Sequence, residues 1–150
     1  MSASSRPEEE MLRAGVDALR PVLEPHGFAF RIGTVGKGSG GYSASGFFEH
    51  GERSLEFHVR YGLGMVTYRI GKAELDHETY LRYAGHWAQR SYPNFGGTIL
   101  ESFRALASDL LAFGQDFVCG DGAEFTAFAA QHAANPNRSK GFASLGKNDG

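Results

Sequence analysis

Ser45, Glu56 and His58 are the residues whose types could combine into catalysis. A nucleophilic hydroxyl, an imidazole base and an orienting carboxylate are the working parts of a hydrolase. The apolar–polar alternation around them sets Ser45 opposite His58 across a hairpin, with Glu56 two residues along on the same face. No Gly-x-Ser-x-Gly elbow accompanies them, and the sequence offers no oxyanion hole. The sequence therefore predicts polar side chains facing water rather than a catalytic triad. The run Gly36–Gly41 has the glycine content of a phosphate loop, but a strand rather than a helix follows it and the Gly-Lys-Ser/Thr ending is missing.

Metal chemistry has no local support either. The six histidines (His26, His50, His58, His77, His86, His132) form no His-x-x-x-His pair, and Cys119 has no cysteine neighbour. No metal or other cofactor is expected. Cys119, between Val118 and Gly120, reads as a buried small apolar residue. Asp76-His77-Glu78 reads as a helix start, with its acids capping the helix and complementing its dipole. Tyr80, Tyr83, Ala84 and Trp87 repeat at helical spacing, which favours core packing over a ligand box.

The elements that must position these residues begin with a meander. Leu55–Tyr61 alternates apolar and polar without a break, the period of a half-buried strand. Gly51-Glu52 suits a type II′ turn, pairing Phe48 with Leu55, Gly46 with Phe57, Ala44 with Val59 and Tyr42 with Tyr61. A second turn at Gly62-Leu63 pairs Val59 with Val66, Phe57 with Tyr68 and Leu55 with Ile70, and sets Glu56 opposite Arg69. An earlier strand, Phe28 to Thr34, joins the sheet through a flexible loop from Val35 to Gly41. Helices are expected over Pro7–Leu23 (kinked or shortened by Pro21), His77–Arg90, Thr98–Phe113 with a Thr98-x-x-Glu101 capping box, and from Asp121-x-x-Glu124 to Ala134. The predicted fold is an α+β two-layer domain. A four-stranded antiparallel meander is packed on one face by helices, in the order α-β-β-β-β-α-α-α. Residues 1–134 form the domain and residues 135–150 a polar tail expected to be disordered.

With 15 basic and 17 acidic side chains, the net charge of −2 shows no basic bias toward nucleic acid. A 41% hydrophobic content suits a packed core, and no stretch is long and apolar enough to span a membrane. A single cysteine permits no internal disulfide, so a reducing, cytoplasmic compartment is the simpler expectation. The predicted outer sheet face carries Arg31, Ser45, His58, Arg60 and Arg69 against Glu56 alone, a shallow surface for an acidic partner.

The run Leu19–Phe28, an amphipathic helix closing in Gly27-Phe28 before a meander, resembles the opening of small bacterial proteins similar to immunity proteins of polymorphic toxin systems. Phe103-x-x-Leu106-x-x-Asp109-Leu110 and Asp116-Phe117 share that character. The resemblance implies a non-enzymatic binder of a cognate protein, a toxin, and carries no catalytic residue. The expected contact residues are Arg31, Ser45, Glu56, His58, Arg60 and Arg69. The alternative is a small-molecule-binding protein or enzyme, with a pocket between the sheet and the second and third helices lined by Tyr61, Tyr68, Tyr83 and Trp87.

Overall fold

The computed structural model describes residues 7–38, 41–60, 62–93 and 97–135. Helix α1 (Pro7–Leu23) leads through a 3-10 turn and Gly27 into β1 (Ala29–Gly38), β2 (Gly41–His50), β3 (Arg53–Val59), β4 (Leu63–Ile70) and β5 (Ala73–Asp76). Then come α2 (His77–Tyr83), α3 (Ile99–Phe113), α4 (Gln115–Val118) and α5 (Ala123–Ala134). The strands form one antiparallel sheet in sequence order. The α+β meander is as expected, with five strands instead of four. Tyr61 lies outside the described residues, as does all of the expected tail except Asn135.

The β2–β3 pairing is the one the alternation predicts: Phe48–Leu55, Gly46–Phe57, Ala44–Val59 and Ser45–His58. Gly51 takes φ +60° and Glu52 no positive φ, which excludes a type I′ turn and suits type II′. The β3–β4 register differs from expectation. Phe57 pairs with Val66, Leu55 with Tyr68 and Arg53 with Ile70, a slip of two residues. The cause is an earlier turn, closed by Arg60 N–H donating to the Gly62 carbonyl, and a bulge where β3 passes from Phe57 to Val59. Because side chains alternate with period two, a net slip of two keeps every residue on its predicted face.

Two other expectations change. The supposed loop from Val35 is strand as far as Gly38, after a bulge between Ile32 and Val35. The second helix stops at Tyr83, because Gly85 adopts φ +83° and turns the chain away. Trp87 therefore sits in a separate 3-10 turn (Trp87–Gln89), off the stripe of Tyr80 and Tyr83. Helix α1 spans its full predicted length with Pro21 inside its last turn.

The core lies between the sheet's inner face and α1, α3, α4 and α5. Leu12, Val16, Leu19 and Leu23 of α1 are fully buried, whereas Met11 of the same helix is exposed. Phe57, Tyr68, Phe103, Phe117 and Phe125 fill the centre with tilted and edge-on ring contacts. Each such burial stabilises by about 1.5–3 kcal/mol. Helices α1 and α3 meet at Gly15, where a Cβ would overlap the Phe103 ring. Thr98 and Glu101 form the predicted capping box of α3. At the far side, the Arg53 guanidinium donates to the carbonyls of Phe117 and Gly120, each at 2.7 Å, closing the end of α4.

Candidate functional site

Two polar constellations result, one on the open sheet face and one inside. On the outer face, Arg31 makes a bidentate pair with Glu49 (3.0 and 2.9 Å) and lies 4.3 Å from the Phe47 ring centroid. The hydrogen bonds from Arg31 hold the Glu49 carboxyl below its ordinary pKa, and Glu49 in turn raises that of Arg31. Glu56 accepts from Arg69 at 2.8 Å and lies 3.0 Å from His58 Nε2. Arg69, whose pKa is raised chiefly by its bond to Glu56, also reaches Glu74 at 3.4 Å. The predicted Glu56–Arg69 pair thus forms diagonally, since Glu56 stands opposite Thr67 and Arg69 opposite Ser54. Glu49 and Glu74 were absent from the predicted face, and they neutralise much of it. Arg60 is exposed and makes no ion pair among the described residues.

Ser45 departs from expectation. It is only 4% exposed, and its Oγ accepts the Thr34 N–H at 2.8 Å. The β1 bulge sets two residues against one and folds over it, with Gly33 placed where a Cβ would overlap Ser45 Oγ. His58 is turned to Glu56. The serine–histidine pairing is real in the backbone register but does not bring a free hydroxyl to an imidazole.

The inner constellation joins Tyr68, His77 and Asp109. Asp76 caps α2 as predicted, its Oδ1 accepting the Thr79 N–H at 2.7 Å. That cap directs His77 inward, where it is 2% exposed. His77 Nε2 lies 2.9 Å from Asp109 Oδ2, and Nδ1 lies 2.6 Å from the Tyr68 hydroxyl. Asp109 also accepts the backbone N–H of Ser91 (2.7 Å) and of Tyr92 (2.8 Å). Burial pushes the Tyr68 hydroxyl's pKa well up, so Tyr68 is the donor to Nδ1. A hydrogen on Nε2 and none on Nδ1 then satisfies every group in the chain. Tyr92 extends the network by donating to the carbonyls of Leu63 and Gly64, and burial pushes its pKa up to about 12.

A recess of about 290 Å³ opens beside His77, between Gly64, Met65, Glu78 and Tyr92. A base must have a free nitrogen within reach of its substrate. Both nitrogens of His77 are taken, so the chain's chemistry is to hold the Ser91–Pro93 loop between α3 and β4.

The other predicted pocket residues do not converge. Tyr68 is core, Tyr83 stacks on Phe128 with its hydroxyl 3.3 Å from His132 Nδ1, and Trp87 packs against the guanidiniums of Arg82 and Arg90. Aromatic side chains occupy the space between sheet and helices that the pocket required. Cys119 is exposed rather than buried, with its thiol 3.0 Å from Gln115 Oε1. It borders a recess of about 460 Å³ with His26, His50 and Glu52, yet among the described residues no three histidine, cysteine or acidic side chains are placed to hold a metal.

Sequence reasoning noted Asp109 in a helix motif but missed its role in the core. A signal existed: it lies seven residues after Ser102 and three after Leu106, on the buried side of α3. No described helix is long and apolar enough to cross a membrane. No protein-family model matches the chain, and no curated protein or solved structure matches it.

Proposed function

We propose that the protein is a non-enzymatic, cytoplasmic protein-binding module of immunity-like type, which acts by covering a site on a cognate protein partner such as a toxin. The observation that carries this reading is the outer sheet face. Its exposed Arg31, His58 and Arg60 stand clear of the helical layer, and cross-strand bonds to Glu49 and Glu56 hold Arg31 and Arg69 in place, while Glu56 also holds His58 from within β3. Side chains already ordered lose less entropy on binding. The inner constellation supports the same reading because it leaves no reactive group free.

Arg31, Glu56, His58, Arg60 and Arg69 form the contact, and Arg60 has the most charge to offer an acidic group. Ser45 shapes the face from beneath. The test uses the tagged full chain as bait in host lysate, with Arg60→Glu as the face variant and Arg104→Glu on the exposed side of α3 as control. One stoichiometric partner, retained by the control and weakened about tenfold or more by Arg60→Glu, is the expected result. Equal retention by both variants would place the contact elsewhere, and an empty pull-down would end the binding-module reading.

A further inference from the structure

The sheet has two edges, and they are built differently. The β1 edge carries the bulge between Ile32 and Val35, a feature that disrupts pairing with a further strand. The β5 edge is straight. It follows a two-residue turn at Gly71-Lys72, so Ala73 and Leu75 direct their backbone groups toward Ile70 and Tyr68 of β4. The Glu74 N–H and C=O and the Asp76 N–H then point outward. Among the described residues no backbone or side-chain hydrogen bond reaches them. Beside this edge lies a recess of about 580 Å³, whose opposite wall is α5. The α5 residues facing it are Thr126, Ala129, Ala130, His132 and Ala133, three of them alanines.

We propose that β5 accepts an extended segment of a partner protein as a sixth strand, one that alternates apolar residues with lysine or arginine. The unpaired backbone groups supply the hydrogen bonds of strand addition. Inward-facing side chains of the segment would rest on the alanines of α5. Its outward-facing side chains would stand beside Glu74 and Asp76, where cross-strand neighbours of opposite charge are favoured. The same acids argue against a second copy of this chain, since pairing β5 with β5 sets like charges against one another. The edge is four residues long, which suits a short, reversible contact. This inference uses none of the outer face's cations as contacts, although Glu74 also reaches Arg69 of that face at 3.4 Å.

The test uses the full chain, labelled with nitrogen-15, and two blocked five-residue peptides that alternate valine with lysine or valine with glutamate. In the free protein the Glu74 and Asp76 amides should exchange with solvent faster than that of Leu75. The lysine peptide should slow exchange at Glu74 and Asp76, and should bind about fivefold to tenfold tighter than the glutamate peptide. Glu74→Lys should shift that preference toward the glutamate peptide, and Ala130→Phe, which fills the recess, should abolish slowing by either. Arg60→Glu should leave peptide binding unchanged, which separates this site from the outer face. The inference is overturned if neither amide slows at millimolar peptide, or if Glu74→Lys leaves the preference as it was. It is equally overturned if slowing appears without peptide and grows with protein concentration, because the edge would then pair with itself.

Discussion

His58 and His77 each place Nε2 about one hydrogen bond from a carboxylate, at 3.0 Å from Glu56 and 2.9 Å from Asp109. The geometry is nearly the same and the surroundings are opposite. His58 is 54% exposed, on a face where water competes for every bond, whereas His77 and Asp109 are buried. On the surface, an ion pair gains little because solvent already satisfies both partners. Inside, the same bond prevents a large desolvation cost, so its loss is felt in full. Burial rather than bond length decides what a polar contact contributes to stability here.

Asp109→Ala should break this comparison most sharply. It strands two buried donors, on His77 and Tyr92, and a part-buried one on Ser91, and should destabilise the fold by about 3–5 kcal/mol in urea unfolding. A loss below about 1 kcal/mol would mean water replaces the carboxylate and the inner network behaves like the outer one.

Tyr68→Phe leaves His77 Nδ1 without its donor and should cost about 1–3 kcal/mol. It has a second signature in alkali. Burial raises the pKa of Tyr68, Tyr80 and Tyr92 in the folded state. The stability these groups contribute is fully present below the ordinary tyrosine pKa of 10.0 and is lost as pH rises toward their folded values. Stability should fall above that point by up to about 1.4 kcal/mol per pH unit for each tyrosine, and Tyr68→Phe should remove one such share. An unchanged slope in the variant would show that Tyr68 titrates normally.

Glu56→Gln weakens the bonds to both Arg69 and His58, yet should cost less than about 1 kcal/mol, and less again in 0.5 M salt. Glu49, whose pKa is lowered by Arg31, acts with the opposite pH sense to the tyrosines. Its contribution is present above the ordinary carboxylate pKa and fades as pH falls through the depressed folded value. A salt-insensitive loss of several kcal/mol in Glu56→Gln would erase the distinction between the two regions.

The legibility of these regions from sequence follows the same division. Gly51 and the unbroken alternation of Leu55–Tyr61 after it specify the β2–β3 register, because a one-residue slip would bury charge. The β3–β4 faces were legible but the partners were not, since a bulge at Phe57–Val59 has no side-chain signature. β5 is four residues long and half acidic, below what period-two alternation can reveal. Ser45 reads as surface because its strand face is the polar one, and only the unpredictable bulge of β1 covers it. Asp109 receives no role from the sequence because its worth lies in amides 17 and 18 residues away, donated by a loop with no regular period.

The Arg53 cap on α4 has a consequence in time. Arg53 closes that helix from 64 and 67 residues earlier in the chain, through Phe117 and Gly120. A four-residue helix cannot sustain itself alone, so α4 gains its terminus only once the β2–β3 hairpin has met the helical layer. Contacts of such long sequence separation form late in folding. Arg53→Ala should therefore leave the refolding rate in stopped-flow nearly unchanged and quicken unfolding, while equal slowing of refolding would place the clasp in the nucleus. One guanidinium, set in the hairpin before half the chain has followed it, acts as the latch by which the last helices are made to stay.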